Sequence, residues 1–171
     1  LKLSDYYGQE CFIGIDGAVN GDFSALCIAI PDENREKVRL FFKYYIPEEM
    51  ADKRSRADSL NFKQWEREGL IKLTEGDATD LNVIIRDLVD ICGNFNYKPI
   101  AYDSAYLTFF ATTAYNDYSL SLEAFSQSVF KQTIPTNQFY EWVMKGQIEH
   151  DNNPITSWML SNVEMRKPDD N

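Results

Sequence analysis

The sequence predicts an α/β fold with a mixed central sheet, in which three antiparallel strands are followed by parallel strands and flanked by helices. Three consecutive strand patterns fill residues 11–46, and a strongly amphipathic helical pattern follows at residues 81–91. After it, short apolar runs alternate with helical segments, which is typical of layered α/β architectures. Two of the apolar runs, residues 12–16 and 99–103, end in an aspartate.

The first three strands come from residues 11–18, 22–30 and 36–46. The first two are apolar runs separated by residues 19–21, whose Val-Asn-Gly sequence suits a hairpin turn. In the third run, apolar side chains occur at a period of two, which indicates a strand with one wetter face. The short connections between these runs predict sequential antiparallel pairing.

The middle of the chain contributes a loop, two helices and a short strand. Residues 47–58 are polar and charged, and we interpret them as a surface loop. A short helix is expected over residues 59–68 and a short strand at residues 70–74. A stronger helix begins near Thr79 or Asp80, either of which is a suitable N-cap. Its apolar residues, which recur at helical spacing, are Leu81, Ile84, Ile85, Leu88, Val89 and Ile91.

The last part of the chain alternates strands and helices. The strand at residues 99–103 is followed by a helix, and a further strand is expected near residues 121–125. A helix over residues 137–145 and a last helix over about residues 154–165 complete the pattern, since proline is favoured in a first helical turn. This order places the first strand beside the strand at residues 99–103.

Composition limits the possible functions. The 171 residues are 44% apolar, which fits a globular domain, and no apolar run is long enough to span a membrane. Three cysteines without metal-ligand spacing and a single histidine argue against a zinc site, a disulfide framework and a Ser-His-Asp triad. The net charge of −10 argues against nonspecific DNA binding, although bound metal ions reverse the local field.

Asp16 and Asp103 are the candidate metal ligands. Each ends a buried strand, where an unpaired carboxylate needs a cation, a metal or several hydrogen bonds. On neighbouring central strands the two carboxylates meet at one end of the sheet, and such hard oxygen ligands suit Mg²⁺ or Mn²⁺. The alternatives are a turn-capping role for Asp16 and an N-cap role for Asp103, unless Ser104 caps the helix instead.

Local motifs follow one another along nearly the whole chain. They are Gly14-Ile15-Asp16, Gly21-Asp22-Phe23-Ser24-Ala25-Leu26, Trp65 with Gly69-Leu70-Ile71, Thr74 with Gly76, Tyr102-Asp103, Gln127, Gly146-Gln147-Ile148-Glu149-His150, Asn152-Asn153-Pro154, Trp158 and Asn162. With these motifs in this order the chain resembles the RNase H-like nuclease fold. More specifically, it resembles the C-terminal nuclease domain of the large terminase subunit of tailed bacteriophages.

The resemblance implies an endonuclease that uses two Mg²⁺ or Mn²⁺ ions to cut concatemeric double-stranded viral DNA during packaging in the host cytoplasm. It implies that residues 1–171 form one nuclease domain, monomeric in isolation, of a longer protein with an upstream ATPase motor. The small terminase subunit and the portal are the expected partners of that protein, and no membrane is expected. The family's third acidic ligand is expected beyond residue 171, with Asp169 and Asp170 as weak substitutes.

Other polar residues are candidates that have structural alternatives. Asp22 is either a water-mediated metal ligand or the residue that closes the hairpin through an Asx turn. His150 either orients water or has a structural role. Four basic residues either grip the DNA backbone or are solvated surface charges. They are Lys53, Arg54, Arg56 and Lys72.

Two other functions compete with the nuclease. A noncatalytic RNase H-like module that docks DNA or a packaging partner fits the acidic composition and the missing third carboxylate. An actin-like or sugar-kinase-like ATP-binding domain also begins with an aspartate on its first strand. Residues 19–22, however, offer one glycine and a negative charge where that class needs a turn rich in glycine, serine and threonine.

Overall fold

The first three strands of the sheet are antiparallel, as the sequence predicts. The computed structural model describes residues 1–18, 22–57 and 60–164, so the predicted turn at residues 19–21 lies outside the described residues. The three strands are β1 (Glu10–Asp16), β2 (Ser24–Pro31) and β3 (Val38–Pro47). Every second residue of β2 is buried, because one face of the strand packs against a helical layer.

The remaining strands run parallel to their neighbours. They are β4 (Lys72–Thr74), β5 (Asn96–Tyr97), β6 (Ile100–Asp103), β7 (Leu122–Phe125) and β8 (Ile148–His150). Within the described residues the order is β4-β3-β2-β1-β6-β7, with β5 paired to β1 and β8 paired to β3. The predicted mixed sheet is therefore confirmed, and β1 and β6 lie side by side at its centre.

Helices flank this sheet and connect its strands. After a short 3-10 helix (Leu3–Tyr6) they are α1 (Glu48–Ala57), α2 (Phe62–Arg67), α3 (Leu81–Asn94), α4 (Ser104–Tyr118), α5 (Val129–Met144) and α6 (Pro154–Ser161). Of the two predicted caps, Asp80 is the one that caps α3, because its carboxylate accepts a hydrogen bond of 2.9 Å from the Asn82 backbone N–H. None of the helices in the described ranges has the length and apolar character needed to cross a membrane.

The structure corrects the prediction for residues 47–58. Instead of a loop they form α1, because Ala51 is almost fully buried and holds the helix against β3. The next helix, α2, is shorter than the predicted helix over residues 59–68. It begins at Phe62, which is fully buried, and Asn61 caps it.

The bounds of α5 and α6 also differ from the prediction. The pattern predicts a helix over residues 137–145, whereas α5 begins at Val129 and continues through Pro135. The last helix is expected to reach about residue 165, but α6 ends at Ser161. The 3-10 helix, β5 and β8 were not predicted, because each is too short to show a periodic pattern.

Buried side chains form one core group on each face of the sheet. The larger group includes Ile28 of β2, Leu88 of α3 and Phe110 of α4. The smaller group lies on the opposite face and includes Phe62 of α2 and Ile155 of α6. Alternate residues of β2 and β3 contribute to the two groups, as expected when successive side chains of a strand point to opposite faces.

Candidate functional site

The ends of β1 and β6 bring the two candidate metal ligands together. The parallel register pairs Ile15 with Tyr102, which directly precede Asp16 and Asp103 on their strands. Both aspartates line one cavity of about 380 Å³, together with Gln127. The predicted placement of the two aspartates at the same end of neighbouring strands is therefore confirmed.

Asp103 also caps the N-terminus of α4. Its Oδ1 accepts a hydrogen bond of 2.9 Å from the Ala105 backbone N–H, so Asp103 and not Ser104 is the N-cap. The alternative in which Ser104 caps the helix is wrong. Because a carboxylate has two acceptor oxygens, capping through Oδ1 leaves Oδ2 available for another partner.

The surroundings of Asp16 disfavour its negative charge. Although the residue is exposed at the strand end, the pKa of its carboxyl is raised, first by burial against neighbouring protein atoms and then by the charge of Asp103. The charge of Asp22 adds to this effect, and a hydrogen bond with the Gln127 side chain opposes it. Among the described residues, no lysine or arginine forms an ion pair with Asp16 or Asp103.

This donor set fits a divalent cation. Asp16 and Asp103 supply carboxylates whose charges repel each other, and the Gln127 side chain lines the same cavity and hydrogen-bonds to Asp16. Hard oxygen donors of this kind are the ligands that Mg²⁺ and Mn²⁺ prefer, and a cation would relieve the repulsion. Gln127 belongs to the motif series, but the sequence assigned it no role in the site.

The third acidic ligand expected from the resemblance is not found in the part of the chain that the structure describes. No three His, Cys, Asp or Glu side chains gather there in an arrangement suited to a metal ion. The weak substitutes Asp169 and Asp170 lie outside the described residues, so their predicted role stays a prediction.

Asp22 pairs with one of the residues predicted to grip DNA. Its Oδ1 lies 2.9 Å from Nη2 of Arg54 and also accepts a hydrogen bond of 2.8 Å from the Phe23 backbone N–H. Asp22 lines the same cavity as Asp16 and Asp103. No local sequence pattern indicates the pairing of Asp22 and Arg54, because the two residues lie far apart in the chain.

The other candidate residues lie outside this cavity. Lys53 is exposed on α1, and Arg56 lines a separate hollow near α2. Lys72 binds the Asp87 carboxylate at 2.5 Å. His150 ends β8, where its Nδ1 accepts a hydrogen bond of 3.1 Å from the Asn152 backbone N–H. None of these arrangements tests DNA binding or water activation.

Asp87, the ion-pair partner of Lys72, belongs to a buried polar group between α3 and the sheet. Its carboxylate accepts a hydrogen bond of 2.6 Å from the Tyr45 hydroxyl in addition to the one from Lys72. Burial alone would raise the pKa of Asp87, but these two hydrogen bonds and the nearby charge of Lys43 hold it below its usual value. The Lys72 ammonium therefore has a structural role, because it pairs with the carboxylate of Asp87.

A second cavity of about 390 Å³ runs from the two aspartates along one face of the sheet. Part of its lining consists of residues with small side chains, which leave space above the sheet. They are Gly14, Ala25 and Ala101. A side chain at Gly14 would meet no atom within 4 Å, so the space above it is open. The sequence did not predict this hollow, because residue size along one strand does not reveal what covers the sheet.

Comparisons with known proteins agree with this architecture. All of residues 1–171 match the family described as "Terminase large subunit, endonuclease domain". The large terminase subunit of Enterobacteria phage HK97 is 28% identical over 162 residues, which cover 93% of this chain and 32% of that protein. Protein YmfN of Escherichia coli strain K12 is 22% identical over 173 aligned residues, covering 95% of this chain and 37% of YmfN.

A solved structure supports the fold. The crystal structure of the HK97 bacteriophage large terminase matches with a TM-score of 0.79 and 23% identity, and the match covers 88% of this chain and 31% of that one. The chain thus spans about a third of the length of the curated relatives that it matches. Because the family match extends over all 171 residues, the chain belongs to the terminase large subunit endonuclease domain family.

Proposed function

We propose that this chain is a metal-dependent DNA endonuclease that cuts concatemeric viral DNA during genome packaging. The observation that carries the proposal is the pairing of Asp16 and Asp103 at one cavity, in a chain of this endonuclease family. Neither carboxylate has a cationic partner among the residues described. Such a pair is suited to bind divalent ions, and many enzymes use divalent ions held in this way to hydrolyse phosphodiester bonds.

Each residue of the site has a distinct task in this proposal. Asp16 and Asp103 would hold two Mg²⁺ or Mn²⁺ ions, and the cap on α4 occupies only one of the two Asp103 carboxylate oxygens. Gln127 orients the Asp16 carboxylate by hydrogen bonding to it. When bound, divalent ions supply Lewis acidity that activates water and neutralises charge on the phosphate. We place a third acidic ligand outside the described residues.

The wider context is part of the same proposal. An acidic chain with a net charge of −10 needs local positive charge to hold DNA, and α1 offers Lys53, Arg54 and Arg56 on one short helix. The relative from phage HK97 is a terminase large subunit. By analogy we propose that an ATPase motor, the small terminase subunit and the portal act with this domain in the host cytoplasm.

A noncatalytic docking module is the second candidate. It is favoured by one observation, the lack of a three-residue acidic cluster among the described residues. Such a module would bind DNA or a packaging partner without cutting. The ATP-binding alternative has no comparable support, because the family match is to an endonuclease domain.

Cleavage of supercoiled plasmid in the presence of Mn²⁺ tests the nuclease. The Asp16→Asn variant should lose activity by about 100-fold or more, because one of the two metal-holding carboxylates becomes neutral. Asp77→Asn is the matched control, since Asp77 is exposed and lies outside both cavities. Circular dichroism should show that both variants remain folded. Undiminished cutting by Asp16→Asn would contradict the proposal, and a wild-type chain that binds but never cuts DNA would favour the docking module.

A further inference from the structure

The Arg54 side chain is held in a defined position at the rim of the acidic cavity. Its Nη2 lies 2.9 Å from Oδ1 of Asp22, and its Cζ lies 5.7 Å from the centre of the Phe23 ring. A cation over an aromatic face and an ion pair act on the same guanidinium group, so its orientation is constrained. The side chain nevertheless remains 30% exposed and accessible to a ligand.

The aromatic ring that lies against Arg54 is itself anchored in the core. The Phe23 ring packs against Phe62, Tyr44 and Trp158, with centroid distances of 5.7, 6.4 and 6.1 Å. The helix that carries Arg54 is fixed by Ala51, which is 1% exposed. The guanidinium is therefore part of a rigid surface, unlike a lysine or arginine on a mobile loop.

Arg54 lies close to the site at which DNA cleavage is proposed. Its partner Asp22 lines the cavity that contains Asp16 and Asp103. Among the described residues that line this cavity, the charged side chains are the carboxylates of Asp16, Asp22 and Asp103, so Arg54 offers a DNA phosphate a positive partner beside them. A guanidinium group has five N–H donors in a planar fork that matches phosphate oxygens, and the contact with Asp22 leaves several of them free.

We propose that Arg54 binds a DNA backbone phosphate beside the cleavage site, and that Asp22 is the residue that positions Arg54. This inference rests on the proposed nuclease function and assigns Asp22 a role other than metal ligand. An exposed ion pair of this kind adds little to the stability of the fold, because solvent screens it and its partners lose side-chain freedom. The pair can therefore be changed without unfolding the domain.

Binding of a short fluorescent DNA duplex is the first test. Anisotropy is measured at several salt concentrations with Ca²⁺, which takes oxygen ligands like those of Mg²⁺. Arg54→Ala should weaken binding and reduce the slope of log affinity against log salt by about 0.9, the value for one lost phosphate contact. Arg86→Ala is the control, because Arg86 is exposed on α3, outside both cavities, and should leave the slope unchanged.

Cleavage and metal binding are measured on two conservative variants. Arg54→Lys keeps the charge but loses the planar fork, so cleavage at saturating DNA should fall about 10-fold while the duplex affinity changes little. Asp22→Asn should slow cleavage in the same way. Both variants should retain the rise in melting temperature that Mn²⁺ gives the wild-type chain.

The outcomes separate this inference from the proposed function. Loss of the Mn²⁺-induced rise in Asp22→Asn would make Asp22 a metal ligand and overturn the inference. An unchanged salt slope in Arg54→Ala would also overturn it, whether or not the wild-type chain cuts DNA. A wild-type chain that binds duplex but never cuts it would contradict the nuclease, while the salt slope would still decide whether Arg54 contacts a phosphate.

Discussion

Asp103 shows that one carboxylate serves both the fold and the candidate site. Its Oδ1 caps α4, and its position at the end of β6 places it beside Asp16. The sequence pattern predicts the cap and the ligand role as alternatives for Asp103. They are compatible, because the cap occupies one oxygen and also restrains the side chain, which lowers the entropy that a bound ion would have to remove.

The raised pKa of Asp16 predicts how its replacement changes stability with pH. A carboxyl whose pKa is higher in the folded state than in the unfolded state destabilises the fold when it is ionised. In metal-free buffer with EDTA, Asp16→Asn should therefore melt higher than wild type at neutral pH. We expect a rise of about 1–2 °C, because the exposed position limits the effect.

The advantage of Asp16→Asn should shrink as the pH falls toward 3.8, the ordinary pKa of an aspartate. Below that value the wild-type carboxyl is protonated in both states, so the penalty disappears. Thermal melts followed by circular dichroism across this range check the prediction, with Asp77→Asn as the control. A variant that melts lower than wild type at neutral pH would contradict it.

The sequence predicted some residues of the site and missed others for a physical reason. Asp16 and Asp103 were predictable because each ends an apolar strand, which is a local pattern. Gln127 follows β7 in an irregular segment, and only the folded chain places it against Asp16. The contact between Asp22 and Arg54 likewise depends on tertiary packing, which brings α1 next to the residues that precede β2.

At the scale of single elements, α1 and β8 show why the prediction from sequence was incomplete. The residues of α1 are mostly charged, and Ala51 is the residue that fastens the helix to the core, so the pattern resembles a loop. The three residues of β8 are too few to show alternation. Both elements are stabilised by tertiary contacts, which override weak local preference. The long strands and α3 were predictable because their periodic patterns extend over many residues.

The contact between Gly17 and Leu107 links the end of β1 to the first turns of α4. A Cβ at Gly17 would overlap the Leu107 side chain, which is buried and lies where α4 departs from helical geometry. Gly17→Ala should therefore lower the free energy of unfolding by about 1–3 kcal/mol, the usual cost of overpacking a core. Because Asp103 caps α4, the same variant should also reduce Mn²⁺-dependent cleavage.

Gly93→Ala is the matched control for this substitution. Gly93 lies in α3, and a Cβ there would meet no atom within 4 Å. The helix should become more stable by about 0.5–1 kcal/mol, because alanine loses less backbone entropy than glycine on folding. Urea denaturation measures both variants. Equal stability of Gly17→Ala and wild type would show that Leu107 moves aside without cost.

At the scale of the whole molecule, the net charge of −10 gives bound divalent ions a second role in the proposed function, because they would add positive charge where DNA approaches the site. A surface of this sign repels a polyanion, and an ion held between Asp16 and Asp103 would reverse the field at the cavity. Mn²⁺ at about 100 times its Kd should stabilise the folded chain by about 2.7 kcal/mol, which corresponds to a rise of about 5–10 °C in melting temperature.

The metal effect is measured by thermal melts in EDTA and in increasing Mn²⁺, at constant ionic strength adjusted with NaCl. Asp16→Asn should lose most of the rise, because a neutral amide replaces one of the two carboxylates at the cavity. Asp77→Asn removes the same unit of charge from an exposed residue elsewhere and should keep the rise. An equal rise in all three proteins would mean that Mn²⁺ only screens the acidic surface, since general screening depends on net charge and not on the position of one carboxylate.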